Sequence, residues 1–135
     1  MSALYDAILR ATRVYIIGNG GSYANAMHIC NDLLSRGIKA YACDPATLSA
    51  FANDYGWERA FSKWVSVVGE SGDLLIAMSG SGKSANILNA IGTAHHIGMD
   101  VYRIFGNERG EDMQMAEESQ LFMGHDVWRS LAAKS

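Results

Sequence analysis

The chain has 135 residues, 49% hydrophobic and 19% charged, the proportions of one globular domain that buries roughly two-thirds of its unfolded surface. A net charge of -3 supplies no basic field for nucleic acid, and no apolar run reaches the length of about eighteen residues that spans a membrane. Residues 1–13 lack the apolar core and small-residue cleavage site of a secretory signal, and Cys30 and Cys43 have no CxxC spacing, so a cytoplasmic protein with reduced thiols is expected.

In chain order, residues 14–17 form a short β-branched and aromatic run that ends in Gly18, Asn19, Gly20 and Gly21, a strand followed by a glycine loop. Ser22 opens a segment with Ala26, Ile29, Cys30, Leu33 and Leu34 at helical spacing, which Gly37 ends. Residues 38–42 read as a second strand. Pro45 begins a stretch expected to be irregular. Residues 56–68 look helical, with Phe61, Trp64, Val65 and Val68 on one face. Residues 73–78 carry a continuous apolar run after a turn, as a strand buried on both faces would. A second Ser/Gly loop, residues 79–84, precedes a helix to residue 97 with Gly98 as its natural stop. Residues 100–105 are the next strand. Beyond Gly106 the pattern weakens, and the expectation is a last short strand at 119–123 and a short helix at 126–133. The three tryptophans, Trp57, Trp64 and Trp128, are expected in the core, and His95 and His96 at the surface near a helix end. Repeated strand–loop–helix units in one domain spanning 1–135 predict an α/β fold, a doubly wound parallel sheet with helices on both faces. In such sheets ligands lie beyond the carboxyl ends of the strands, where both Ser/Gly loops fall.

In the first loop, three glycines let the backbone approach a ligand, and Ser22 stands at a helix start where free N–H groups favour an anion. The same residues also suit a plain tight turn. In the second, Ser79, Ser81 and Ser84 alternate beside another helix start and make an anion cradle. The competing reading is a flexible turn with Ser84 as N-cap. Residues 77–84 also come close to a nucleotide-binding P-loop ending in Lys83 and Ser84, with Ala77 in place of its first glycine. Against that reading, no later strand ends in an aspartate suited to magnesium, and the first loop would be left unexplained.

The stretches GNGGSYANAMHICNDLL, ANDYGWERAF and GESGDLLIAMSGSGKSANILNAI, in this order, resemble the sugar isomerase (SIS) domain family, and within it the phosphoheptose isomerases, over about residues 14–105. The resemblance implies a flavodoxin-like three-layer sandwich that binds a sugar phosphate. It implies phosphate contacts from Ser79, Ser81, Ser84 and Ser22, and sugar contacts from Asn19, with Gly20 and Gly21 of the same loop and with Asn53 and Asp54. It implies ketose–aldose isomerisation, such as that of sedoheptulose 7-phosphate, in which an acid and a base move a proton between two carbons. It also implies a homodimer or homotetramer, and zinc held by a histidine and an acidic residue of the first helix. His28 and Asp32 match those two positions, four residues apart on one helix face, and are the candidate catalytic and metal-binding residues.

The chain departs from this pattern in several places. Asp32 stands where the family has glutamate, Asn31 replaces an acidic residue, and Lys83 stands where asparagine is common. The family's long N-terminal helix, and its long C-terminal helix with a glutamine and a histidine, have no evident counterparts. His125 is a late histidine outside any matching motif. Three alternatives follow from the sequence: an isomerase, a non-catalytic sugar-phosphate-binding regulatory or interaction module, and the P-loop nucleotide binder.

Overall fold

A computed structural model describes residues 2–134, with side chains to Leu131. Strands β1 (Val14–Ile17), β2 (Ala40–Ala42), β3 (Leu74–Ser79) and β4 (Asp100–Phe105) form one sheet in the order β2-β1-β3-β4. All three pairings are parallel, with Val14 opposite Ala40 and Leu74, and Leu74 opposite Asp100. The expected doubly wound sheet is therefore present.

Side chains of β3 alternate between two cores, as the two-residue period of a strand requires. Leu74, Ile76 and Met78 join α1 (Ala3–Arg10), α2 (Gly21–Ser35) and α6 (Met113–Lys134) on one face. Leu75 and Ala77 join α3 (Pro45–Tyr55), α4 (Trp57–Val68) and α5 (Ala85–Ile97) on the other. The whole of β3 is buried, which is why its sequence is an uninterrupted apolar run.

Four expectations are corrected. The stretch after Pro45 is not irregular. Asp44 accepts hydrogen bonds from the backbone of Ala46 and Thr47, and Pro45 occupies the first helical position, so α3 starts there. The chain after Gly110 holds neither a short strand nor a break. It is one 22-residue helix, α6, begun where Asp112 Oδ1 accepts from the Met115 backbone. Its buried line runs through Ala116, Gln120, Gly124, Val127 and Leu131, a helical spacing whose polar and glycine members hid it from an apolar count. A long C-terminal helix is thus present after all. Trp57 is 51% exposed, whereas Trp64 is buried, because Trp57 opens α4 on its solvent side. The second strand is shorter than expected, starting at Ala40. Among the described residues, no helix is long and apolar enough to cross a membrane.

Both cysteines are free and buried. Burial first, then the neighbouring Asp44, pushes the Cys43 thiol up to about 11. Burial first, then Cys43 and Asp44, pushes the Tyr23 phenol up to about 12; its hydroxyl donates to the Cys43 carbonyl. In the unfolded chain these groups release their protons near their ordinary values of 9.0 and 10.0. Their contribution to stability is therefore complete below about pH 9 and disappears as the pH rises through the folded values. The urea midpoint should fall between about pH 8 and about pH 11, and fall less in a Cys43→Ala, Tyr23→Phe variant. Equal falls in both proteins would refute this assignment.

Candidate functional site

The chain runs from β1 outward to β2, then returns past β1 to β3, so the strand order reverses between β1 and β3. In a doubly wound sheet the ligand crevice opens at that switch point. The loop after β1 leads into α2, and the loop after β3 leads into α5. Both helix N-termini face the crevice.

Neither helix start carries a side-chain cap or an acidic residue in its first turn. Ser84 occupies the N-cap position of α5, yet its hydroxyl does not cap; it lies 3.4 Å from the Ser79 hydroxyl. Gly82 N donates to Ser79 Oγ at 3.0 Å, and Lys83 N donates to Ser81 Oγ at 3.1 Å. Asn19 and Asn86 exchange two amide hydrogen bonds, of 2.9 and 2.8 Å, and so tie the two helix starts together. Between them is a cavity of about 70 Å³ lined by Asn19, Ser22, Met78, Ser79, Gly80, Ser81, Ser84 and Met113. That volume holds one small anion or a few waters. Four hydroxyls and one amide share the lining with two methionines, at two positive helix ends, an arrangement able to receive an oxyanion. Lys83 is exposed and is not among the lining residues.

Helix α2 also carries His28 and Asp32. His28 Nε2 lies 3.4 Å from Asp32 Oδ2. The finding that the sequence did not anticipate is His125. Helix α6 packs along α2 and puts His125 Nε2 3.1 Å from His28 Nε2 and 3.8 Å from Asp32 Oδ2. The three residues offer donor atoms within 4.8 Å of one another, a geometry able to hold a metal ion. Two imidazole nitrogens and one carboxylate, all partly open to solvent, form a donor set that leaves a coordination position free.

The packing of α6 on α2 explains this arrangement. Gly124 lies against Ile29, where a Cβ would come within 2.7 Å of the isoleucine. Without a side chain at 124, the helices approach closely enough for His125 to meet His28. One turn further, Trp128 Nε1 donates to Ser35 Oγ at 3.1 Å, and the Arg36 guanidinium stacks 3.7 Å above the Trp128 ring. Sequence spacing could find His28 and Asp32, which share a helix. It had no means of joining a histidine 97 residues away. Of the residues expected to line the site, Asn19, Ser22, Ser79, Ser81 and Ser84 converge on the cavity, and Gly20 and Gly21 form the adjoining start of α2. Asn53 and Asp54 are exposed at the end of α3, hydrogen-bonded to each other at 3.3 Å, and are not among the lining residues.

Fold and site together define a doubly wound α/β protein with a serine-lined cavity at its switch point and a histidine–carboxylate cluster where α2 meets α6. A sequence profile of the SIS domain matches residues 1–106, and the chain belongs to that family. It is similar to the phosphoheptose isomerases. That of Sodalis glossinidius is 42% identical over 113 residues, covering 78% of this chain and 58% of its own length. That of Burkholderia pseudomallei is 38% identical over 147 residues, covering 93% and 75%. The solved phosphoheptose isomerase GmhA of Neisseria gonorrhoeae has a TM-score of 0.86 at 26% identity, covering 96% of this chain and 81% of that one. Against the first of these relatives the chain spans a little under three-fifths of the length.

Proposed function

We propose that the protein is a ketose–aldose isomerase acting on a phosphorylated sugar of the sedoheptulose 7-phosphate class. The observation that carries this reading is the placement of two chemistries on one helix. The cavity sits at the N-terminus of α2, and His28 lies six residues beyond Ser22, about 9 Å along the axis. That separation suits a sugar held by its phosphate with its carbonyl end at the histidines. The identity to phosphoheptose isomerases supports the same substrate class.

The phosphate is held by the hydroxyls of Ser22, Ser79, Ser81 and Ser84 and by the helix ends, without a cation from the lining. Asp32 orients the imidazoles of His28 and His125 by their shared contacts. One imidazole takes the proton from the carbon bearing the hydroxyl and returns it to the neighbouring carbonyl carbon, while the hydroxyl proton passes to the carbonyl oxygen. The same donor atoms of His28, Asp32 and His125 would alternatively hold a zinc ion, and in that state the ion, in place of a free imidazole nitrogen, would supply Lewis-acid polarisation of the carbonyl. We place the protein in the cytoplasm, where free buried thiols persist, as a homodimer or homotetramer with no nucleic-acid partner.

The test is thermal unfolding with and without sedoheptulose 7-phosphate, assaying the same samples for the aldose. Ligand at about 100 times its Kd should stabilise by about 2.7 kcal/mol, with product forming. In Ser79→Ala the affinity should fall about tenfold, since a hydrogen bond to a charged group contributes about 1.5 kcal/mol or more. Stabilisation without turnover would reduce the protein to a sugar-phosphate-binding module. Absence of stabilisation by any sugar phosphate would overturn the reading.

A further inference from the structure

We infer that Gln120 is a positioning residue that fixes the polarity of the Ser22 hydroxyl, making it a donor to the anion in the cavity. This rests on reading that cavity as the phosphate site. Gln120 is completely buried, and Ser22 and Asn25 nearly so. They form a chain of side-chain hydrogen bonds between α6 and the start of α2.

The direction of each bond in that chain is set by one group whose role cannot change. The backbone carbonyl of Glu117 can only accept, and it takes one hydrogen from Asn25 Nδ2 at 3.0 Å. The second hydrogen of the same nitrogen then goes to Gln120 Oε1, at 2.9 Å. With its oxygen committed, Gln120 turns its nitrogen to Ser22, and Nε2 donates to Ser22 Oγ at 3.0 Å. Ser22 is thereby an acceptor towards the protein. A hydroxyl has one hydrogen, and that of Ser22 has no protein acceptor among the described residues. Ser22 lines the cavity with Ser79, Ser81 and Ser84, so its proton is left for an anion there. Without this chain the hydroxyl could turn its proton inward and present a lone pair to the anion, a repulsive contact. The same chain makes loop geometry at the cavity depend on the helix that brings His125 to the histidine cluster.

The experiment measures affinity for sedoheptulose 7-phosphate by calorimetry in the full chain, with the unfolding midpoint of each variant recorded. Gln120→Met removes the donor at similar size and should weaken binding about tenfold. Gln120→Glu keeps the shape and the Asn25 bond but accepts the Ser22 proton, and should weaken binding at least a hundredfold. Ser22→Ala should lose about tenfold, and adding Gln120→Met to it should cost no further affinity, because both changes remove one shared interaction. A purely structural glutamine would lower the midpoint in both backgrounds and show no such coupling in affinity. Wild-type affinity in Gln120→Met and Gln120→Glu, or losses that add in the double variant, overturn the inference while the cavity reading stands. Wild-type affinity in both Ser22→Ala and Ser79→Ala overturns the cavity reading, and the inference with it.

Discussion

Replacing His125 by alanine is expected to lower turnover of a ketose phosphate by about 10²- to 10⁴-fold, the usual contribution of a positioned acid or base. The same change should leave ligand affinity within about twofold, because the proposed phosphate cavity lies elsewhere and would supply ground-state binding that survives loss of the chemistry. His125 stands 3.1 Å from His28 Nε2 and shares Asp32 with it. Its loss removes one of three donors and one of two imidazoles. The effect on folding should be small, since the His125 side chain is 40% exposed and truncation there opens no buried cavity. The check is a steady-state comparison in which kcat falls and KM holds. His95→Ala provides the contrast. His95 is exposed in the last turn of α5, and its loss should leave kcat unchanged. Full kcat in His125→Ala would remove the histidine cluster from the chemistry.

The second large effect is expected at Gly18. A Cβ built there would lie 2.7 Å from the Ser22 carbonyl carbon and Cβ and 2.8 Å from the Ser22 oxygen. Two of those atoms are backbone in the first turn of α2, so they cannot rotate out of the way as a flexible side-chain end would. Gly18→Ala must therefore push the helix start away from β1. Overpacking of this kind costs about 1–3 kcal/mol or more, an unfolding midpoint lower by roughly 4–11 °C for a domain of this size. Ser22 moves with the helix, so sugar-phosphate affinity should fall with stability. Gly92, inside α5, meets no atom within 4 Å of a built Cβ. Gly92→Ala should instead be neutral or stabilise by about 0.4–1 kcal/mol. A Gly18→Ala protein as stable as wild type would show that the strand–helix approach has room to relax.

The sheet was readable from the chain because each strand carries its own local signal. β1 and β3 are apolar runs bounded by glycine or serine, and the alternation with helices implies parallel pairing before any contact is known. The two serine–glycine loops were readable for the same reason: serines, glycines and the following helix are neighbours in sequence. The start of α3 is encoded in Asp44 and Pro45, an N-cap and a first helical residue, although proline equally marks irregular chain. The course of α6 was harder to see. Gln120 and Gly124 interrupt its apolar line, and both are buried only because they face α2.

What the sequence determined by itself is therefore the set of local elements, their order, and the residue types at the two loops and at His28 and Asp32. Tertiary structure decided which of these meet. His125 joins His28 across 97 positions, and Gln120 joins Ser22 across 98. In both cases the cause is the close approach of α6 to α2 at Gly124. Local propensity and periodicity act within a few turns of chain and can be read along it. A contact between distant segments depends on how two helix surfaces fit, which no window of sequence contains.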